Sequence, residues 1–252
     1  MGFEQYLGNN FPMNEWAARK FWEDVRITEL SEGFGITLDG KYAMTPGKNP
    51  LIVPHFSLAE KICVEFQDQG HKIDPTAMPF TRRTNTTIDR IGDTRGEIVN
   101  SLLNYGHTDL VSYRATSPSD LVKWQSDHWD PVIAWLEKQL SIRMKINHGI
   151  IPFDQESQTI DVFAEKIEAL DNFSLCGFSE LVPLLGSLVL SFAYLYGFGN
   201  KDQIWRLSRI DEEWQEKKWG KDEQAQQVAQ SHYEEYLVAC FFVDLPGKIK
   251  PE

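Results

Sequence analysis

The chain carries little of what anchors metals, disulfides or nucleotides. Its 252 residues hold 3 cysteines, Cys63, Cys176 and Cys240, widely separated and without a C-x-x-C pair. That number and spacing predict neither a disulfide framework nor a zinc site. They suit a reducing compartment in which each thiol behaves as a small apolar residue. The 6 histidines include no H-E-x-x-H and no close pair, so no metal centre is expected. Phosphate-binding loops are missing too. In "MTPGKNPLIVP" the pair Gly47-Lys48 is followed by Asn49 and lacks the upstream glycine of a P-loop, and its prolines describe a rigid connector. "GFGN" at 197–200 has no strand before it, so no dinucleotide fingerprint is read there. The serines of "GFSELVPLLGS" sit in no G-x-S-x-G elbow, and Cys176 has no basic neighbour to activate it. No cofactor is expected.

Positive charge is also scarce. Lys and Arg total 25 against 37 Asp and Glu, a formal net charge of −12. Such a surface opposes phosphate backbones and anionic lipid, so nucleic acid is not expected as a partner. "MGFEQYLGNNFPMNEW" lacks a basic region followed by an apolar run, carries acids where a transit peptide would be arginine-rich, and has Tyr6 where myristoylation needs Ser or Thr. A cytoplasmic protein of a bacterial host is the expectation. Leu181 to Gly199 holds no charge, but Pro183, Gly186, two serines and two tyrosines interrupt it. It is read as the buried centre of a helical domain, with no stable membrane insertion.

What is present divides into two textures. Asn14 to Val25 reads as a short helix with Asn14 as N-cap. "RITELSEGFGITLDGKYAMTP" then alternates apolar and polar residues around Asp39-Gly40, a hairpin signal, and "NPLIVP" offers another short strand. Ser57 to Gln69 looks helical, capped by Ser57 with Glu60 completing a capping box and Gly70 as the stop. Beyond Asp74-Pro75 helical periodicity takes over, with a break expected at Asp130-Pro131 and an extended excursion in "SIRMKINHGI". The expected fold is α+β, with a β-rich domain over residues 1–75 and a larger helical domain over 76–252. No heptad or self-complementary strand argues for an oligomer, so a monomer is expected.

The most pointed stretch is "SRIDEEWQEKKWG", where Asp211, Glu212 and Glu213 stand between tryptophans. On one helix from Lys201 to Trp219, Ile204, Leu207, Ile210 and Trp214 form an inward stripe, with Asp211 at its edge. Trp205, Arg209, Glu212, Glu216 and Trp219 share a neighbouring face. The acids do not converge, as a glycosidase pair would require, and no Glu-x-x-His motif suggests a di-metal bundle. The face suits docking, since Trp and Arg are frequent interface anchors and carboxylates can meet a basic partner. From the residues alone a solvated helix is the simpler reading, with Arg209 bridging Glu213 or Glu212 and both tryptophans packed inward. A carboxylate-dependent hydrolase drawing on the acids of 211–216 is the alternative from another class.

Several stretches, taken in order, give a family resemblance. "FWEDVRI…GFGITLDGKYAMTPGKNPLIVP", "MPFTRRTNTTID" (Met78–Asp89), "TDLVSYRA" (Thr108–Ala115), "WDPVIAW" (Trp129–Trp135) and "LSRIDEEWQEKKWG" (Leu207–Gly220) resemble the assembly chaperones of the F1 sector of ATP synthase that bind its alpha subunit. The match runs from about Phe21 to Phe242. The resemblance implies a β-rich domain followed by a helical one and a role without catalysis, in which the free alpha subunit is held until the beta subunit replaces it. It also implies that an acid of "IDEEWQ" is essential. Asp211, Glu212 and Glu213 are the candidates, Glu212 foremost, with Glu216, Trp205 and Trp219 completing the expected partner-binding set. Trp129 and Pro131 are expected to pack. The pair Arg82-Arg83 departs from the family's usual single arginine.

Overall fold

The computed structural model describes residues 19–149, 151 and 153–247. The fold is α+β, and the chain forms two compact units, Met1–Gly92 and Asp93–Glu252. The N-terminal helix expected from Asn14 falls partly outside the described residues. From Arg19 to Asp24 the chain is not helical, and Val25 opens a strand.

In the first unit, β1 (Val25–Leu30) pairs antiparallel with β2 (Gly33–Leu38), Val25 opposite Leu38 and Leu30 opposite Gly33. The turn Asp39-Gly40 leads into β3 (Lys41–Tyr42). Both turn residues have positive φ, 49° and 78°, as a tight hairpin turn requires. β4 (Ile52–Val53) pairs with β2 through Phe34 and Gly35. Helix α1 (Phe56–Gln67) packs on β1, β2 and β4, burying Leu58, Ala59, Ile62 and Cys63. It begins one residue before Ser57, which therefore caps nothing. His55 is the N-cap, and its carbonyl accepts the N–H groups of Leu58 and Ala59. Helix α2 (Pro79–Thr86), entered through Pro at its first turn, leads into a π-helical turn, Thr87–Ile91.

The second unit is helical. It contains α3 (Gly92–His107), a short parallel pair of β5 (Tyr113–Arg114) with β6 (Asn147–His148), α4 (Ser119–Leu140) and α5 (Ser157–Glu168). There follow α6 (Asn172–Leu185), α7 (Leu188–Leu195), α8 (Lys201–Ser208), α9 (Ile210–Trp219) and α10 (Glu223–Asp244). The uncharged run from Leu181 is the core of this unit. Gly186 ends α6 with φ 63°, Ser187 caps α7 by accepting the Leu190 N–H, and every residue of α7 is buried. No helix among the described residues is long and apolar enough to cross a membrane.

Helix α4 runs through Pro131 without the expected break. Pro131 and Asp127, the residue whose carbonyl proline cannot serve, both lie on the exposed side of the helix. Trp129, Val132, Ile133 and Leu136 hold both halves of the helix in the core. The expectation that Trp129 packs is met, whereas Pro131 is exposed.

Candidate functional site

The expected single helix over Lys201–Trp219 is two helices. Arg209, at φ −112° and ψ 17°, separates α8 from α9. The acids therefore occupy the first turn of a new helix instead of the middle of a long one.

Helix α9 lies along α4. Ile210 and Trp214 point inward and are buried. Asp211 Oδ1 accepts from Gln125 Nε2 at 2.7 Å. Further along, Lys217 Nζ sits 3.6 Å from the ring centroid of Trp124, and Lys218 Nζ lies 2.6 Å from Asp120. The opposite face carries the row Arg209, Glu212, Glu216 and Trp219 at helical spacing. Arg209 Nη1 donates to Glu212 Oε1 at 2.9 Å, and the Glu212 side chain is 44% exposed. Trp219 is 75% exposed, meeting Trp214 edge-on at 5.6 Å. Glu213 and Glu216 are partly exposed, and Glu213 stands off the row. Trp205 does not join it. On α8, its ring packs against Tyr233 and Tyr236 of α10 at 5.3 and 5.2 Å.

Behind Gln125, the support comes from three of the stretches that carry the family resemblance. Arg114, 3% exposed, donates through Nε to the Val111 carbonyl at 2.7 Å, lies 2.9 Å from Asp130 through Nη2, and sits 5.1 Å from the Trp129 ring centroid. Burial pushes its guanidinium pKa down, and the Asp130 and Asp211 carboxylates oppose that shift. Trp129 donates its indole N–H to the Leu207 carbonyl at 2.7 Å. "TDLVSYRA", "WDPVIAW" and "LSRIDEEWQ" thus meet in one polar network. Gln125 is the member that no sequence pattern singled out. A buried amide on a helix has no signature until its partners are seen.

A second network lies in the first unit. The Asp89 carboxylate accepts from Thr45 Oγ1 at 2.6 Å, Asn49 Nδ2 at 2.8 Å and the Gly47 N–H at 2.7 Å. The turn in "MTPGKNP" does wrap an anion, but the anion is the chain's own. Burial raises the Asp89 pKa and the three donors lower it, and the donors prevail. Glu65, similarly, accepts from the N–H groups of Phe80 and Thr81 at 2.7 Å each, and from the Thr81 hydroxyl at 2.6 Å.

The acids of 211–216 do not converge on one point. A glycosidase-type hydrolase needs two carboxyls facing one another across its substrate. Here Gln125 engages Asp211, Arg209 engages Glu212, and the two acids point to different sides of α9. A cavity of about 390 Å³ is lined by Tyr194, Asn200, Lys201, Asp202, Leu237 and Asp244, and none of the acids of 211–216 borders it. Among the described residues no three His, Cys, Asp or Glu side chains group as metal ligands.

Comparison with known proteins agrees with the architecture. The family model described as ATP12 chaperone protein matches residues 19–137. Atp12 from Paracoccus denitrificans superposes with a TM-score of 0.85 at 38% identity, covering 92% of this chain and 99% of that one. The Agrobacterium tumefaciens protein Atu1473 does so with a TM-score of 0.81 at 33% identity, covering 89% and 84%. The mitochondrial protein atp12 of Schizosaccharomyces pombe is 23% identical over 230 residues, 86% of this chain and 79% of its own length. The chain belongs to the ATP12 family, the assembly chaperones of F1-ATPase.

Proposed function

We propose that this chain holds the free alpha subunit of F1 until the beta subunit takes its place, acting as a monomer in the bacterial cytoplasm. The contact is the outward row of α9, Glu212, Glu216 and Trp219, with Glu213 at its edge. The observation that carries the reading is that row itself: carboxylates beside an indole 75% exposed, on a helix pinned from behind by α4. Tryptophan is among the residues most often found at interface hot spots, where a partner covers it. The carboxylates favour a client surface rich in Lys and Arg. The physical need is general. A subunit awaiting its partner exposes an interface-sized apolar patch, and such patches aggregate. Covering it takes a complementary surface and no bond-making, and the beta subunit then displaces the chaperone by competing for the same patch.

Co-expression with the F1 alpha subunit of the same host tests this. Soluble alpha that co-elutes with the chain, and is released when beta is added, is the expected result. Alpha that aggregates equally with and without the chain, with nothing co-eluting, would overturn the proposal.

A further inference from the structure

Helix α9 is weakly held by apolar contact, since of its 10 residues Ile210 and Trp214 alone are buried. Its direction therefore depends on polar contacts with α4, and the innermost of these is made by Gln125. That side chain is 3% exposed, with both ends of its amide in use. Oε1 accepts the Ala115 N–H at 2.8 Å, and Nε2 donates to Asp211 Oδ1 at 2.7 Å. A terminal amide can offer an acceptor at one end and a donor at the other, where a carboxylate offers acceptors at both. Ala115 follows Arg114, which is fixed by Val111, Asp130 and Trp129. The glutamine thus transmits a rigid anchor to the first turn of α9.

We propose that Gln125 is a positioning residue for client capture. Through Asp211 it sets the angle at which α9 leaves the break at Arg209, and so the direction in which Glu212, Glu216 and Trp219 face. This rests on the reading of that row as the client contact. In it Asp211 serves from inside, as the receiver of the latch, while the outward acids meet the client.

The test compares binding of purified F1 alpha subunit by the full chain and three variants. Gln125→Glu keeps the acceptor for Ala115 and turns the other end against Asp211. Gln125→Glu with Asp211→Asn restores a hydrogen bond of reversed polarity, the asparagine donating to the glutamate. Glu212→Lys reports on the contact row itself. Gln125→Glu is expected to weaken binding about tenfold, equivalent to about 1.4 kcal/mol, with its helical circular-dichroism signal unchanged. The double variant should return to within about threefold of the parent, taking threefold as about 0.65 kcal/mol. If Gln125→Glu binds like the parent while Glu212→Lys does not, the positioning role is wrong and the contact row stands. If Gln125→Glu weakens binding and the double variant fails to recover it, the glutamine acts other than through Asp211 and the proposal falls. If Glu212→Lys and Gln125→Glu both bind normally, the row is not the contact and the proposal falls with it. Should Gln125→Glu not fold, Gln125→Leu replaces it, read by amide hydrogen exchange over residues 210–219. Protection there must drop while that of α10 holds, and unchanged protection overturns the latch.

Discussion

The indole N–H of Trp129 donates to the Leu207 carbonyl at 2.7 Å, and that contact accounts for one helix becoming two. In an unbroken helix the same carbonyl would accept from the N–H of Asp211. The Ser208 hydroxyl also takes the Trp205 carbonyl at 2.7 Å, and the Arg209 N–H closes a tighter turn on Arg206 at 3.0 Å. The helix ends, and α9 begins afresh at Ile210. Trp129→Phe keeps a ring in the core and removes the donor. It should cost roughly 1–3 kcal/mol, the range for leaving a buried acceptor unserved. Urea unfolding would show a lower midpoint at unchanged slope. A midpoint equal to the parent's would contradict the role given to this hydrogen bond. Trp129→Ala, which also empties the site, should cost about 3–5 kcal/mol.

Asp109 should make stability fall as pH rises through the acid range. It is fully buried, and its carboxylate accepts from Ser187 Oγ at 2.6 Å and from the N–H groups of Val189 and Val111 at 2.9 and 3.1 Å. Burial outweighs those donors and pushes its pKa up to about 6. Between about pH 4 and 6 the folded chain keeps a proton that the unfolded chain has released, so stability decreases across that window and levels above it. The full span is about 3 kcal/mol. Denaturant midpoints at pH 4, 5, 6 and 7 check it against Asp109→Asn, in which this component of the slope should vanish. An identical profile in the variant would remove Asp109 as its source.

At Gly177, α6 and α10 approach closely. A Cβ there would lie 2.7 Å from the Ala239 carbonyl oxygen, 2.7 Å from Phe242 Cβ and 2.9 Å from the Val243 nitrogen. Two are backbone atoms and the third is a Cβ bonded directly to the backbone, so none can swing aside. Gly177→Ala should therefore destabilise by about 1–3 kcal/mol through overpacking, overriding the better helix propensity of alanine. A stabilised variant in thermal unfolding would mean that the two helices can part at little cost.

Trp219 should separate binding from stability. At 75% exposure its removal leaves little cavity, so Trp219→Ala should shift stability by no more than about 0.5 kcal/mol. The same variant should weaken capture of the alpha subunit by about 2 kcal/mol or more if the indole is a hot spot. Unchanged co-elution at equal expression would remove it from the contact.

The architecture was legible because its signals are local. Asp39-Gly40 fixes a hairpin by its own backbone preferences, and the uncharged residues after Leu181 have nowhere to go but a core. The division of Lys201–Trp219 into two helices was not legible. Nothing in "RLSRIDEEW" breaks a helix by itself, since it holds neither Gly nor Pro, and the cause lies on Trp129, 78 positions away. The helical wheel drawn across that break placed Trp205 with Glu212, whereas Trp205 packs on Tyr233 and Tyr236. Within α9 the wheel held, because there the periodicity is unbroken. It put Asp211 at the edge of the inward stripe, where Gln125 receives it. Pro131 shows the opposite limit. A local rule predicts a break, and the buried residues on either side of it outweigh the rule.

The interruption at Arg209 also changes the electrostatics of the acids that follow. It turns Asp211, Glu212 and Glu213 into the opening turn of a helix, where the peptide dipoles sum to roughly half a positive charge. Each carboxylate there is favoured by the backbone itself, and Lys217 and Lys218 complement the other end. The negative surface is therefore stabilised by the fold itself. It follows that a lysine placed among these acids opposes the dipole as well as any partner. Glu212→Gln, which removes the charge while adding no opposing one, disturbs this helix end less than Glu212→Lys does.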